Sequence, residues 1–176
     1  IAEDLGYMTQ SVRDLVAESG YPGMKVLQFA FGSGSDNEYL PHNYTPNSVV
    51  YTGTHDNETL MQYLECTEEH VRNHIREYMN RPHASNEELC ENLIWMAMSS
   101  VGKYCMIPLQ DYLGLGKEAR MNYPSTLGHN WEWRVRKEQL THDLASYIAH
   151  MTGLSYRWRI APPKEEETDE TDTENK

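Results

Sequence analysis

The feature that most constrains the fold of this chain is a short apolar segment that runs directly into a cluster of polar side chains. Residues 49–52, Val-Val-Tyr-Thr, favour a strand buried on both faces, as in a parallel sheet. His55, Asp56 and Asn57 follow this strand, and a helical pattern comes next. Parallel α/β folds place their active sites at the carboxyl ends of strands. The alternative is that Asp56 or Asn57 only caps the following helix.

Strand and helix patterns alternate along the rest of the chain. Residues 1–6 have the pattern of a strand end, and residues 24–31 and 104–109 have the pattern of two further strands. Capping-box sequences beginning at Ser11 and Ser85 indicate the starts of two intervening helices. Three full strands and the end of a fourth, alternating with helices, predict an α/β protein with a parallel sheet.

Composition excludes several classes of partner. The net charge of −12 argues against nucleic acid, because phosphate binding needs basic patches. No apolar run is long enough for a transmembrane helix, so no membrane partner is expected. The three cysteines show no CxxC pairing, which favours reduced, mostly buried thiols and a cytoplasmic protein. Residues 161–176 are strongly acidic and poor in apolar side chains, so we expect them to form a disordered tail.

Six longer motifs occur in order over residues 1–134. They are IAEDLG, PGMKVLQFAF, YLPHNY, NSVVYTGTHDNET, PLQDYLGLGKEARMN and NWEWR. Together they resemble the carboxyl-terminal part of the amylomaltases, a family of 4-α-glucanotransferases. The resemblance implies that residues 1–160 are the carboxyl-terminal half of a (β/α)₈ barrel and contain its fifth to eighth β/α units.

The same resemblance implies roles for five residues. Glu3 would be the general acid/base, and Asp56 would be a carboxylate that stabilises the transition state. His55 would hydrogen-bond the sugar ring, and Phe31 and Asn122 would lie near the bound glucan. No organic cofactor is implied, because retaining glycosyl transfer needs only a pair of carboxylates.

A metal site is not predicted either. His70 and His74 lie four positions apart on a predicted helix, but the sequence shows no third ligand for them. The expected partners are therefore α-1,4-glucans and maltooligosaccharides.

The nucleophilic aspartate implied by the resemblance belongs to a fourth strand, before Ile1. Asp4 is not expected to replace it, since neighbouring residues of a strand point to opposite faces. We therefore expect glucan transfer from the full-length protein and no activity from the 176 residues alone. The alternatives are a non-catalytic α-glucan-binding or interaction fragment that lacks the nucleophile, and an α-glucan hydrolase.

Overall fold

A parallel β-sheet forms the centre of the molecule. The computed structural model describes residues 1–6 and 8–157. Its three strands are β1 (Gly23–Val26), β2 (Ser48–Tyr51) and β3 (Tyr104–Met106), in the spatial order β1-β2-β3. All pairings are parallel, so the carboxyl ends of the strands lie at the same edge of the sheet. This confirms the predicted α/β architecture with a parallel sheet.

Helices lie before, between and after the strands, and side chains of α2, α3 and α4 pack against one face of the sheet. Within the described residues they are α1 (Gln10–Ser19), α2 (Leu60–Cys66), α3 (Glu69–Tyr78), α4 (Asn86–Met98), α5 (Leu109–Tyr112) and α6 (His142–Leu154). Helix α4 begins with the predicted capping box of Ser85 and Glu88. Helix α1, however, is capped by Thr9 and not by Ser11, because the Thr9 hydroxyl accepts the Val12 N–H.

Two of the predicted strands, residues 24–31 and 104–109, are longer than the observed β1 and β3, whereas the predicted strand over residues 49–52 differs from β2 by one position. After Val26 the chain turns into a 3₁₀ helix over Leu27–Phe29, whose first two side chains are buried. Several residues after Val26 are therefore apolar because they are buried in the core, although they are not paired in a strand. The third strand likewise ends at Met106, and α5 begins at Leu109.

Residues 1–6 lie beside β1 but are not part of the sheet ladder. The Ala2 N–H donates to the Pro22 carbonyl over 2.9 Å, as in a strand pair. The next position along β1 is different, because the Met24 N–H donates to the side-chain carboxylate of Asp4 over 2.6 Å. A carboxylate thus replaces a backbone carbonyl, and the predicted strand end is an extended segment instead.

The two faces of the sheet have different surroundings. Val50, in the middle of β2, belongs to one apolar cluster with buried side chains of α2, α3 and α4, including Leu60, Ile75 and Leu93. Side chains alternate along a strand, so Tyr51 and Met106 point to the opposite face. Met106 remains half-exposed there. The helices therefore bury one face and leave the other for the site.

The remaining predictions from composition have mixed outcomes. The three cysteines are free thiols, but Cys66 is exposed, whereas Cys90 is buried and Cys105 half-buried. No helix among the described residues has the length and apolarity needed to cross a membrane. The predicted acidic tail, residues 161–176, lies outside the described residues.

A buried carboxylate joins the end of β2 to the start of α2. Asp111, only 2% exposed, accepts the Thr52 hydroxyl over 2.6 Å and the Leu60 N–H over 2.8 Å. Burial raises the pKa of Asp111 from 3.8 to about 6, although both hydrogen bonds oppose the rise. The loop between Thr52 and Leu60 is therefore held at both ends by one side chain.

We expect Asp111→Ala to lower the free energy of unfolding by roughly 2–4 kcal/mol, because it leaves two buried donors without an acceptor. Asp111→Asn should cost less, since its amide oxygen can accept one bond and its NH₂ can donate to the Thr52 hydroxyl oxygen. Urea unfolding of both variants at neutral pH measures the difference. Asp36 is exposed, so Asp36→Ala is the matched control and should change stability by no more than about 0.5 kcal/mol. Equal effects of Asp111→Ala and Asp36→Ala would contradict a stabilising role for the two hydrogen bonds that Asp111 accepts.

The raised pKa of Asp111 also predicts a pH dependence. A carboxyl group with a higher pKa in the folded than in the unfolded state stabilises the fold when it is protonated. That contribution is complete below about pH 4 and is lost as the pH rises through about 6. We therefore expect Asp111→Asn to gain stability relative to the unsubstituted protein between pH 4 and 7, by roughly 1–3 kcal/mol. A difference that stays constant across this range would exclude the raised pKa.

Candidate active site

A cleft of about 880 Å³ opens at the carboxyl ends of the strands. Glu3 reaches it from the amino-terminal segment, Phe29 from the turn after β1, and His55 and Asp56 from the loop after β2. Among the described residues, the carboxylates that line the cleft are Glu3 and Asp56. Glu3 and Asp56, the two carboxylates to which the resemblance assigns roles, therefore line one cavity.

A network of short polar contacts shapes the loop after β2. The Asn57 side-chain oxygen accepts the N–H of Thr54 over 2.9 Å and its hydroxyl over 2.8 Å. The Thr54 hydroxyl oxygen in turn accepts the Asp56 N–H over 3.3 Å. Helix α2 is capped by Thr59, whose hydroxyl accepts the Gln62 N–H. The capping alternative for Asp56 and Asn57 is therefore wrong, and Asn57 braces the turn that presents Asp56.

The absence of a side chain at Gly53 lets this loop approach the 3₁₀ helix that follows β1. A Cβ atom at Gly53 would lie 2.5 Å from the side-chain nitrogen of Gln28. That nitrogen donates to the Glu58 carbonyl over 2.9 Å. Any larger residue at position 53 would displace the Gln28 amide, so the glycine ending the strand motif has a steric reason.

Asp56 is in contact with two of the other predicted site residues. The Asn122 side-chain nitrogen donates to Asp56 Oδ1 over 2.6 Å, and His55 Nε2 lies 3.3 Å from the same oxygen. The His55 ring packs against Trp131, with 5.1 Å between ring centroids. Asp56, His55 and Asn122 thus form one cluster at the cleft, with Trp131 beside it.

The structure does not bring Phe31 to the cleft. Its side chain is 1% exposed and packs edge-on against the rings of Tyr78 and His74, with 5.7 Å between centroids in each case. Phe29, which is 41% exposed, lines the cleft instead. A continuous strand would place both phenylalanines on one face, but the 3₁₀ turn breaks that alternation. Both lie in the same sequence motif, so only the turn could have distinguished them.

Asp4 faces away from the cleft, as the strand argument predicted. Its carboxylate accepts the Met24 N–H and lies against Gly23, where a Cβ atom would overlap with an Asp4 oxygen. It lines a separate depression with Arg13 and Lys25. Glu3 and Asp4 are therefore neighbours in sequence with different surroundings.

Comparisons with known proteins identify relatives of this chain. A family model described as 4-alpha-glucanotransferase matches residues 1–141. The 4-alpha-glucanotransferase of Clostridium butyricum is 44% identical over 155 residues, which are 88% of this chain and 31% of the relative. The chloroplastic/amyloplastic 4-alpha-glucanotransferase of Solanum tuberosum is 46% identical over 135 residues, which are 77% of this chain and 23% of the relative.

A solved structure gives the same result for the fold. The amylomaltase from Streptococcus agalactiae, in complex with acarbose, superposes with a TM-score of 0.83 at 34% sequence identity. The match covers 90% of this chain and 32% of that chain. The chain thus spans about a third of the length of that amylomaltase, and a third or less of the length of the two curated relatives.

Proposed function

Because this chain belongs to the 4-alpha-glucanotransferase family, we propose that it is part of an enzyme that transfers α-1,4-glucan segments between maltooligosaccharides. The observation that supports this function is the presence of Glu3 and Asp56 in one cleft at the carboxyl ends of the strands. Glycosyl transfer requires a carboxyl group as acid/base, the role proposed for Glu3, and a fixed negative charge beside the reacting sugar, the role proposed for Asp56, favours the transition state. The cleft is open and contains an aromatic side chain, Phe29, against which a sugar ring can pack.

In the proposed mechanism, Glu3 is the general acid/base. A carboxylate nucleophile attacks the anomeric carbon, the glycosidic bond breaks, and the leaving oxygen takes the Glu3 proton. A hydroxyl group of the acceptor sugar then attacks the same carbon, releases the nucleophile and returns its proton to Glu3. This retaining sequence uses only carboxylates and sugar hydroxyls. We propose that the nucleophile comes from a part of the enzyme outside these 176 residues.

Asp56 has a different role in this proposal. Its fixed negative charge stabilises the positive charge that develops on the sugar ring in the transition state. Asn122 and His55 both contact Asp56 Oδ1, so they hold the carboxylate in one orientation. His55 is exposed beside the cleft and can also hydrogen-bond the sugar.

The proposed substrates agree with the other properties of the chain. Acarbose is bound in the amylomaltase from Streptococcus agalactiae, and we propose that α-glucans occupy the corresponding cleft here.

We further propose that the chain is the carboxyl-terminal half of a (β/α)₈ barrel. The half-exposed Tyr104 and Met106 on the uncovered face of β3 support this, because other strands of a closed barrel would cover them. The free thiols favour a cytoplasmic location.

We expect the full-length enzyme to convert maltotriose into a ladder of longer maltooligosaccharides with release of glucose. The physical reason is that the acceptor hydroxyl of a second sugar, and not water, completes the second step. Chromatography of the products over time measures this. Glucose and maltose without any longer product would indicate a hydrolase. Binding of maltotriose without turnover would indicate a non-catalytic α-glucan-binding protein.

We expect Glu3→Gln in the full-length enzyme to lower kcat for maltotriose by roughly 10²- to 10⁴-fold, because an amide cannot supply the proton. A maltosyl fluoride needs little protonation of its leaving group, so its first step should be much less affected. Asp4→Asn is the matched control, because Asp4 faces away from the cleft and asparagine keeps an oxygen for the Met24 N–H. Equal losses with both substrates would argue against the acid role of Glu3.

A further inference from the structure

Arg120 connects the two loops that carry Asp56 and Asn122. Its Nη2 donates to the backbone carbonyl of Asp56 over 2.9 Å, and its Nε donates to the backbone carbonyl of Asn122, also over 2.9 Å. Its Nη1 donates to the Glu58 carboxylate over 2.7 Å. The Arg120 side chain is only 11% exposed. One guanidinium group therefore binds two backbone carbonyls and one carboxylate next to the site.

These contacts need the shape of an arginine. The guanidinium group is a planar fork with donors in fixed directions, whereas a lysine ammonium is a compact point charge on a flexible stem. The plane of Arg120 also lies over the Tyr123 ring, 4.4 Å from its centroid, which restrains it further. The orientation of Arg120 is thus fixed by three hydrogen bonds and one aromatic contact.

Arg120 does not form an ion pair with the Asp56 carboxylate. Arg120 binds the backbone carbonyl of Asp56, and its ion pair is with the carboxylate of Glu58. The Asp56 carboxylate instead receives the neutral amide of Asn122 over 2.6 Å. Asp56 is therefore fixed in position without a direct ion pair to a guanidinium group.

We propose that Arg120 is the positioning residue that fixes the Asp56 carboxylate and the Asn122 amide relative to each other, with Glu58 as its counter-ion. The proposal rests on the proposed function, because this arrangement would place a negative charge beside the reacting sugar. Arg120 itself touches no reacting atom. Its effect is transmitted through the backbone of Asp56 and Asn122.

The test compares Arg120→Gln, Arg120→Lys and Glu58→Gln in the full-length enzyme, with kcat and KM for maltotriose and the unfolding midpoint measured for each. We expect Arg120→Gln to lower kcat by about 100-fold with little change in KM, since a displacement of about 1 Å at a reacting centre can cost this much. Arg120→Lys should lose activity too, because lysine can pair with Glu58 but cannot reproduce the fork. Glu58→Gln should also lower kcat, because it leaves the guanidinium charge uncompensated near Asp56.

Three further measurements separate positioning from a general loss of structure. Lys117→Gln removes a positive charge from an exposed position on the same segment and should leave kcat and the unfolding midpoint unchanged. Free guanidinium at low millimolar concentration should partly restore Arg120→Gln, but should not accelerate the unsubstituted enzyme or Lys117→Gln. A double-mutant cycle of Arg120→Lys with Asn122→Ala should be non-additive, since both changes act on Asp56.

Each outcome decides the proposal. Unchanged kcat in Arg120→Lys and Arg120→Gln would overturn it. It would also be overturned if kcat fell only in proportion to the folded fraction, without rescue by guanidinium. If Arg120→Gln did not fold, Arg120→Lys and the double-mutant cycle would decide. If the unsubstituted enzyme lengthened no maltotriose, the proposed function would fail separately. Weaker acarbose binding by folded Arg120→Lys would then support positioning, and unchanged binding would overturn it.

Discussion

The buried carboxylate of Asp111 is the contact on which the geometry of the cleft depends. It accepts the hydroxyl of Thr52 at the end of β2 and the N–H of Leu60 at the start of α2. The first N–H groups of a helix have no partner inside the helix, so this donor would otherwise be unsatisfied in the core. The loop with His55 and Asp56 therefore leaves and re-enters the core at two points that are fixed relative to each other.

A second set of contacts holds backbone carbonyls of the same loop. The Arg120 guanidinium group holds the Asp56 carbonyl, and Gln28 holds the Glu58 carbonyl where Gly53 leaves space for its amide. Burying these polar groups costs free energy, and their hydrogen bonds offset that cost. The loop is thus restrained by side chains from three different parts of the chain.

The sequence contained much of this arrangement, but not all of it. Because parallel strands end at one edge, the polar residues after β2 and the acidic residue Glu3 could be assigned to one site. The exchange of Phe31 for Phe29 could not be foreseen, since both belong to one apolar run and the turn between them has no strong sequence signal. Arg120 was missed for another reason. Its contacts with Glu58 and Asp56 span 62 and 64 positions, and a single sequence contains no information about such pairs.

The parallel pairing of β2 with β3 has a consequence for the order of folding. Tyr51 and Met106 are paired neighbours, yet α2, α3 and α4 lie between them in sequence. Closing so long a connection costs chain entropy before any strand contact is gained. The helices form mostly local contacts and can collapse around Leu60 and Leu93 before β3 arrives. The contacts of Arg120 with Glu58 and Asp56 join segments on either side of this connection. We therefore expect these two contacts to form with or after the pairing of β2 with β3, so that this part of the site is completed late in folding.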